Sequence, residues 1–194
     1  VEIRNVINTK RESEVRIMGF DIYGVNPVVH NTKYPTFNKY SDMDWSEKNK
    51  LFNKDTKLQD KYWSESDKRQ EDNKGIYFRN NCWWWRPLWN YVCGSCEDIL
   101  DDDDMNGGSF NDGHEITEEK ASAIAKRLFK LIASGDTKGY EDYHRAESLK
   151  AQIENEGKDV GDDDYNWSND YPFDVDNVRQ FATFCSESGG FTIC

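Results

Sequence analysis

The chain has 194 residues, with 25 basic and 37 acidic side chains and a net charge of −12. That balance excludes a general nucleic-acid binder, which needs basic surface to displace counterions from phosphate, and it opposes docking on an anionic membrane. Hydrophobic residues make up only 36% of the chain and the mean hydropathy is −0.96, so seven tryptophans, ten tyrosines and ten phenylalanines must carry much of the core.

No apolar run approaches the length of a membrane helix, and the opening residues do not read as a secretory leader. Cys82, Cys93, Cys96, Cys185 and Cys194 form no disulfide framework. The expectation is a cytoplasmic protein with reduced thiols. The length suits one domain.

Residues 1–17 are polar and weakly patterned and read as an N-terminal extension. Met18 then opens MGFDIYG. Ile17, Phe20 and Ile22 predict a short strand over 17–23, ended by Gly24 to Pro27. Residues 28–74 are rich in Lys, Asp, Asn and Ser with scattered aromatics. They read as a polar insertion with one helical piece, capped by Asp44 and running to about residue 60.

Order returns at Gly75, where Ile76 and Phe78 alternate with Tyr77 and Arg79 as in a strand over 75–79. Asn80-Asn81 reads as a break. The densest aromatic stretch follows: Trp83, Trp84, Trp85 and Trp89 fall within seven residues, between Arg79 and Leu88-Asn90. Pro87 suits the first turn of a helix over 87–100. Asp101 to Asp104 would end that helix badly, because anions are unfavourable at a helix C-terminus. Residues 105–114 read as a loop.

Thr117 can cap the next helix, whose Ala121, Ile124, Ala125, Leu128, Phe129 and Ile132 follow helical spacing up to Gly135. A second helix over about 137–155 carries Tyr140, Tyr143, Ala146, Leu149 and Ile153. The short Ser134-Gly135-Asp136 join favours an antiparallel pair. After an acidic loop at 156–170 comes a last helix, Pro172 to Ser186. Gly189-Gly190 then turns the chain into a terminal strand at 190–194.

These elements predict an α+β fold: a small sheet of strands at about 17–23, 75–79 and 190–194, covered by about four helices. The first and last strands are expected to pair. The domain is expected to span 18–194.

The tryptophan stretch is the first candidate site. If 82–85 is extended, Trp84 points opposite to Trp83 and Trp85, so some rings must be core. Arg79 and Arg86 can hold an anion such as a phosphate while a ring stacks on the rest of a ligand. The candidate ligand-binding set is Arg79, Asn80, Asn81, Trp85 and Arg86, with Asn111 and Asp112 beside it.

Asp102-x-Asp104-x-Asn106-Gly107 matches the first half of a calcium loop, but Gly113 stands where the bidentate Glu belongs and Glu115 comes two residues late. Asp102, Asp104, Asn106 and Glu115 are therefore weak metal candidates, and the default is a solvated acidic turn. Cys93-x-x-Cys96 lacks sequence-local partners for a zinc site. No phosphate-binding loop, dinucleotide fingerprint or nucleophile elbow is present. No cofactor is expected, and no catalytic residue can be assigned.

The motifs MGFDIYG (18–24), GIYFRNNCWWWRPLWNYV (75–92), NDG (111–113) and YPFDVDNVRQFATFCSESGGFTIC (171–194) together resemble a group of small uncharacterised proteins of tailed bacteriophages and prophages. The shared pattern is MGLDIYG, then YFRNN-x-W-x-WRPL, then NDG, then a closing FA-x-F-x-x-x-SGGF. Two features depart from it: residues 28–74 replace a short link, and residues 156–170 lack the paired cysteines of larger relatives. The resemblance implies phage origin and the host cytoplasm, and it implies no known activity.

The residues predict a protein that binds a host protein or a small anionic ligand without catalysis, and the resemblance implies that it is a phage-encoded accessory protein. The competing expectation is a small metal-dependent hydrolase of a nucleotide or phosphoester, with the acidic loop holding the cation and Arg79 or Arg86 the phosphate. An acidic mimic of DNA, through Asp101–Asp104 and Asp162–Asp164, ranks last.

Overall fold

Period-two alternation builds a four-stranded sheet. The computed structural model describes residues 19–167 and 171–194; the expected N-terminal extension and the first two residues of the 17–23 strand lie outside them. The strands are β1 (Gly19–Gly24), β2 (Tyr77–Asn81), β3 (His114–Ile116) and β4 (Phe191–Ile193). Their order is β2-β1-β4-β3, and each neighbouring pair is antiparallel. Phe20 and Ile22 share one face with Phe78, Ile116, Phe191 and Ile193, and all six are buried. Asp21, Tyr23, Tyr77 and Arg79 take the other face.

The expected pairing of the first and last strands is present. Asp21 and Cys194 exchange both backbone hydrogen bonds, at 2.8 and 2.9 Å. Strand β3 was not expected. Its three residues are too few for a periodic signal, and only the edge of β4 makes them a strand.

The eight helices of the described residues are α1 (Pro35–Tyr40), α2 (Trp45–Phe52), α3 (Thr56–Asp72), α4 (Cys82–Ser95), α5 (Asp102–Gly107), α6 (Glu118–Ser134), α7 (Asp136–Glu154) and α8 (Val175–Glu187). The fold is α+β, with a small antiparallel sheet and helices against its apolar face. None of these helices is long and apolar enough to cross a membrane.

Helix α6 follows its expected signals. Thr117 accepts from the Lys120 N–H, Gly135 terminates the helix at φ +88°, and Ala121, Ile124, Ala125 and Leu128 are buried. In α8, Asp174 is the cap, and Val178, Phe181, Ala182 and Cys185 point inward as expected. Helix α7 departs from its expected pattern, because Tyr143, Leu149 and Ile153 are exposed. It buries polar Thr137 and Glu141 instead.

The tryptophan segment is the main correction. Asn80-Asn81 does not break β2: the two residues pair with Phe20 and Gly19. The side chain of Asn81 then caps α4, accepting from the Trp84 N–H at 3.1 Å. Residues 82–85 are therefore helical, and Pro87 lies inside the helix. An interior proline costs about 3 kcal/mol. Trp85, Leu88, Trp89 and Val92 are each at most 1% exposed and contribute about 1.5–3 kcal/mol apiece, so burial outweighs the proline. The helix ends at Ser95, not near residue 100.

The awkward aspartates do not end a helix; they start one. Asp101 accepts from the Asp104 N–H at 3.0 Å, and Asp104 accepts from the Asp101 N–H at 3.2 Å. This is a capping box at the positive end of α5, where carboxylates are favourable.

Residues 28–74 hold three helices rather than one. The expected helix over 44–60 breaks at Asn53, and Asp55 caps α3 by accepting from the Leu58 N–H at 3.0 Å. Tyr34, Phe52 and Tyr62 are buried. The Tyr62 ring lies 5.3 Å from Phe37 and 5.1 Å from Phe52. None of these joins the main core, so the insertion has a small aromatic core of its own. Asn73 ties its two ends together, accepting from the His30 and Asn31 N–H groups at 2.8 and 3.1 Å.

Candidate functional site

Helical periodicity divides the tryptophan segment into an inner and an outer stripe. Trp85 belongs to the inner stripe and is fully buried. Its ring stacks on Phe20 at 5.3 Å and on Trp89 at 5.4 Å, and its N–H donates to the Gly108 carbonyl at 2.7 Å. The expectation that Trp85 meets a ligand fails, because every side of this ring is taken by protein.

Trp83, Arg86 and Asn90 form the outer stripe, with the buried Pro87 at its margin. The Trp83 ring lies 5.0 Å from Tyr171, and Arg86 Nη1 donates to the Tyr171 hydroxyl at 3.0 Å. Arg86, Pro87 and Asn90 line a cleft of 380 Å³ whose other walls are Tyr140 and His144 of α7, with Trp167 and Tyr171 between α7 and α8. Phe173 supports it from behind, 4.8 Å from Tyr140 and 5.8 Å from His144.

Burial holds the His144 imidazole below its ordinary pKa, which favours the neutral ring. Burial, with Tyr143 and Tyr91 adding to it, pushes the Tyr140 phenol up. Arg86 is the charged side chain among the residues lining this cleft.

The state of Arg86 is unusual for this chain. Arg79, Arg127, Arg145 and Arg179 each meet a carboxylate, on Asp21, Asp98, Glu141 and Asp176. Arg69 lies over the Phe37 ring. Among the described residues Arg86 faces a phenol and no carboxylate. Its remaining N–H donors are open to a ligand.

The other expected ligand residues do not gather around it. Arg79 pairs with Asp21 at 3.5 Å on the exposed sheet face and lines a different cleft, beside α3 and α8. Asn80 donates to Asn177 at 3.0 Å, and Asn81 is spent as a helix cap. Asn111 reaches the Gly19 carbonyl at 3.5 Å, and Asp112 is exposed in the turn that follows.

The weak metal candidates are dispersed as well. Asp104 is buried, with Oδ1 3.1 Å from His114 Nε2 and Oδ2 accepting from the Lys120 ammonium. Lys120 also donates to Asp101 at 2.6 Å, and this bond and the one to Asp104 raise its pKa. An ammonium thus occupies the position a cation would take. Asp102 and Asn106 lie along α5, and Glu115 alternates away from His114 on β3. Among the described residues no three His, Cys, Asp or Glu side chains converge as a metal set. Cys93 and Cys96 are free, and burial pushes both thiols up to about 11, which leaves them protonated near neutrality.

Sequence reasoning identified Arg86 but missed Asn90, Tyr140, His144, Trp167 and Tyr171. Helical spacing from Arg86 finds Asn90, and the i, i+4 spacing of Tyr140 and His144 places those two on one face. Nothing local joins the two helices to Tyr171. No family model, curated protein or solved structure matches the chain.

Proposed function

We propose that this is a bacteriophage-encoded accessory protein of the host cytoplasm that acts by binding a small anionic ligand carrying a planar ring. The Arg86 cleft is its site. The observation that carries the reading is the guanidinium of Arg86, which among the described residues meets the Tyr171 hydroxyl and no carboxylate. An anionic group of the ligand, phosphate or carboxylate, takes the free N–H donors of Arg86 through charge-assisted, bidentate hydrogen bonds. Trp167 and Tyr171 offer ring surface beside it, and Asn90 offers an amide that reads polar edges. Phage origin and host location rest on the motif resemblance.

The test is calorimetric titration with adenosine monophosphate and, separately, with inorganic phosphate. The nucleotide is expected to bind better than phosphate alone, because it engages ring and charge together. Arg86→Ala is expected to weaken binding at least about tenfold while the melting temperature stays unchanged. Equal binding by wild type and variant would overturn the reading.

A further inference from the structure

A second cleft, independent of Arg86, follows the free edge of β2. Its 590 Å³ are lined in part by Tyr77, Phe78 and Arg79, three consecutive strand residues. Side chains of a strand alternate between its faces. A cleft that touches three in a row must therefore run against the backbone edge. A smaller cleft of 220 Å³ continues past Asn80 to Trp84, and both share Gln180. The groove is as long as the strand, a shape that fits an extended chain.

The phase of the ladder identifies which backbone groups face this groove. Gly24 N–H donates to the Ile76 carbonyl at 3.1 Å, and the same register pairs Ile22 with Phe78 and Phe20 with Asn80. Hydrogen-bonded pairs alternate in an antiparallel ladder. Residues 76, 78 and 80 thus bond β1, while the N–H and C=O groups of Tyr77 and Arg79 point outward. The bonds from β1 to β4 agree, using Asp21 and Val25 on the opposite edge.

The walls define what the edge can accept. Phe78 and Phe184 give an apolar floor, and α3 supplies Asp67 and Glu71. Arg79 and Arg179 are already matched by Asp21 and Asp176. Among the described residues Asp67 and Glu71 meet no cation at ion-pair distance, so Lys74 alone offsets two acids. With both arginines matched, the unmatched charges of the groove are Asp67, Glu71 and Lys74, and this acidic excess, within a chain of net charge −12, attracts a basic partner.

We propose that β2 is a docking edge for an extended, basic segment of a partner protein, added antiparallel or parallel as a fifth strand. Its backbone pairs with Tyr77 and Arg79. An apolar side chain lies on Phe78 and Phe184, and a basic side chain faces Asp67 and Glu71.

The probe is the capped pentapeptide Lys-Val-Thr-Val-Lys, titrated into the full chain by fluorescence anisotropy. Glu-Val-Thr-Val-Glu is the charge control, and the basic peptide N-methylated at its central residues is the backbone control. The basic peptide is expected to bind about tenfold tighter than either control. Arg79→Pro removes an outward donor at an edge position where proline is tolerated and is expected to weaken binding about tenfold. Glu71→Lys is expected to reverse the charge preference. If Arg79→Pro does not fold, the N-methylated peptide carries the same test without a mutation. Equal affinity for the basic and acidic peptides, or for the methylated one, overturns the proposal. So does a concentration-dependent dimer, lost in Arg79→Pro, in a protein that binds no peptide.

Discussion

The indole N–H of Trp85 donates to the carbonyl of Gly108 at 2.7 Å, and Gly108 itself lies against the neighbouring Trp89 ring. A Cβ at Gly108 would stand 2.0 Å from Trp89 Cε2. Its φ is −67°, so the demand for glycine here is one of space and not of backbone conformation. Gly108→Ala is expected to lower stability by about 1–3 kcal/mol, the usual cost of overpacking. Gly139, inside α7, has nothing within 4 Å of its Cβ position, and Gly139→Ala is expected to raise stability by about 0.5–1 kcal/mol. Urea unfolding of the two variants measures both, and a neutral Gly108→Ala would refute the packing argument.

Arg86 offers a planar fork of donors, and its side chain is exposed. Arg86→Ala is expected to weaken nucleoside monophosphate binding at least about tenfold, since a charge-assisted hydrogen bond contributes about 1.5–3 kcal/mol. Arg86→Lys keeps the charge but not the fork and is expected to fall between the two. Calorimetry gives the affinities, and an unchanged thermal melt separates lost binding from lost fold.

His144 gives stability a pH dependence of known sign. Burial lowers its pKa from the ordinary 6.5, so the unfolded chain binds a proton more readily than the folded one. Stability is therefore expected to fall as pH drops below about 6.5 and to level off once pH is below the folded value. His144→Phe keeps a ring beside Tyr140 and Phe173 and removes the titration. Chemical denaturation between pH 7.5 and pH 5, roughly, should give a slope for the wild type that shrinks in the variant; identical slopes would exclude His144 as its source.

The insertion packs its own aromatic residues. Tyr62 is buried between Phe37 and Phe52, and its hydroxyl accepts from Lys48 Nζ at 3.1 Å. Tyr62→Ala removes the centre of that cluster, a change that costs about 3–5 kcal/mol in a well-packed core. Limited proteolysis is expected to cut the variant within residues 35–72 while the tryptophan fluorescence of the Trp85–Trp89 core stays native. Simultaneous loss of both would show that the two cores unfold as one.

Local chemistry made much of the fold legible. Thr117, Gly135 and the Ala121–Leu128 spacing define α6 because a cap, a left-handed glycine and a helical stripe all act within a few residues. Phe20 and Ile22 define β1 by alternation, and the closing glycines deliver the strand it pairs with. Where readings failed, a local signal competed with a distant one. Pro87 resembles a helix start, yet Asn81 starts that helix, and burial of Trp85 and Trp89 holds the proline inside it. Asp101 to Asp104 resemble a poor helix end, yet they cap a new one. The scattered aromatics of 28–74 resemble surface decoration because no single helix holds enough of them; their partners lie on other helices.

The candidate site divides in the same way. The sequence by itself determined the acidic character of the chain, the aromatic core and the presence of Arg79 and Arg86 beside the tryptophans, since these are properties of composition and spacing. Only the tertiary structure decided that Trp85 is core, that Arg79 pairs with Asp21 beside a strand edge, and that Arg86 meets Tyr171 and shares a cleft with His144. The physical reason is that a helix over 82–95, rather than a strand, gathers Trp85, Leu88, Trp89 and Val92 onto one buried face and leaves Arg86 and Asn90 outside it. Arg145 and Arg179 meet carboxylates on their own helices, but Arg79 and Arg127 meet theirs on distant segments, which no local pattern encodes.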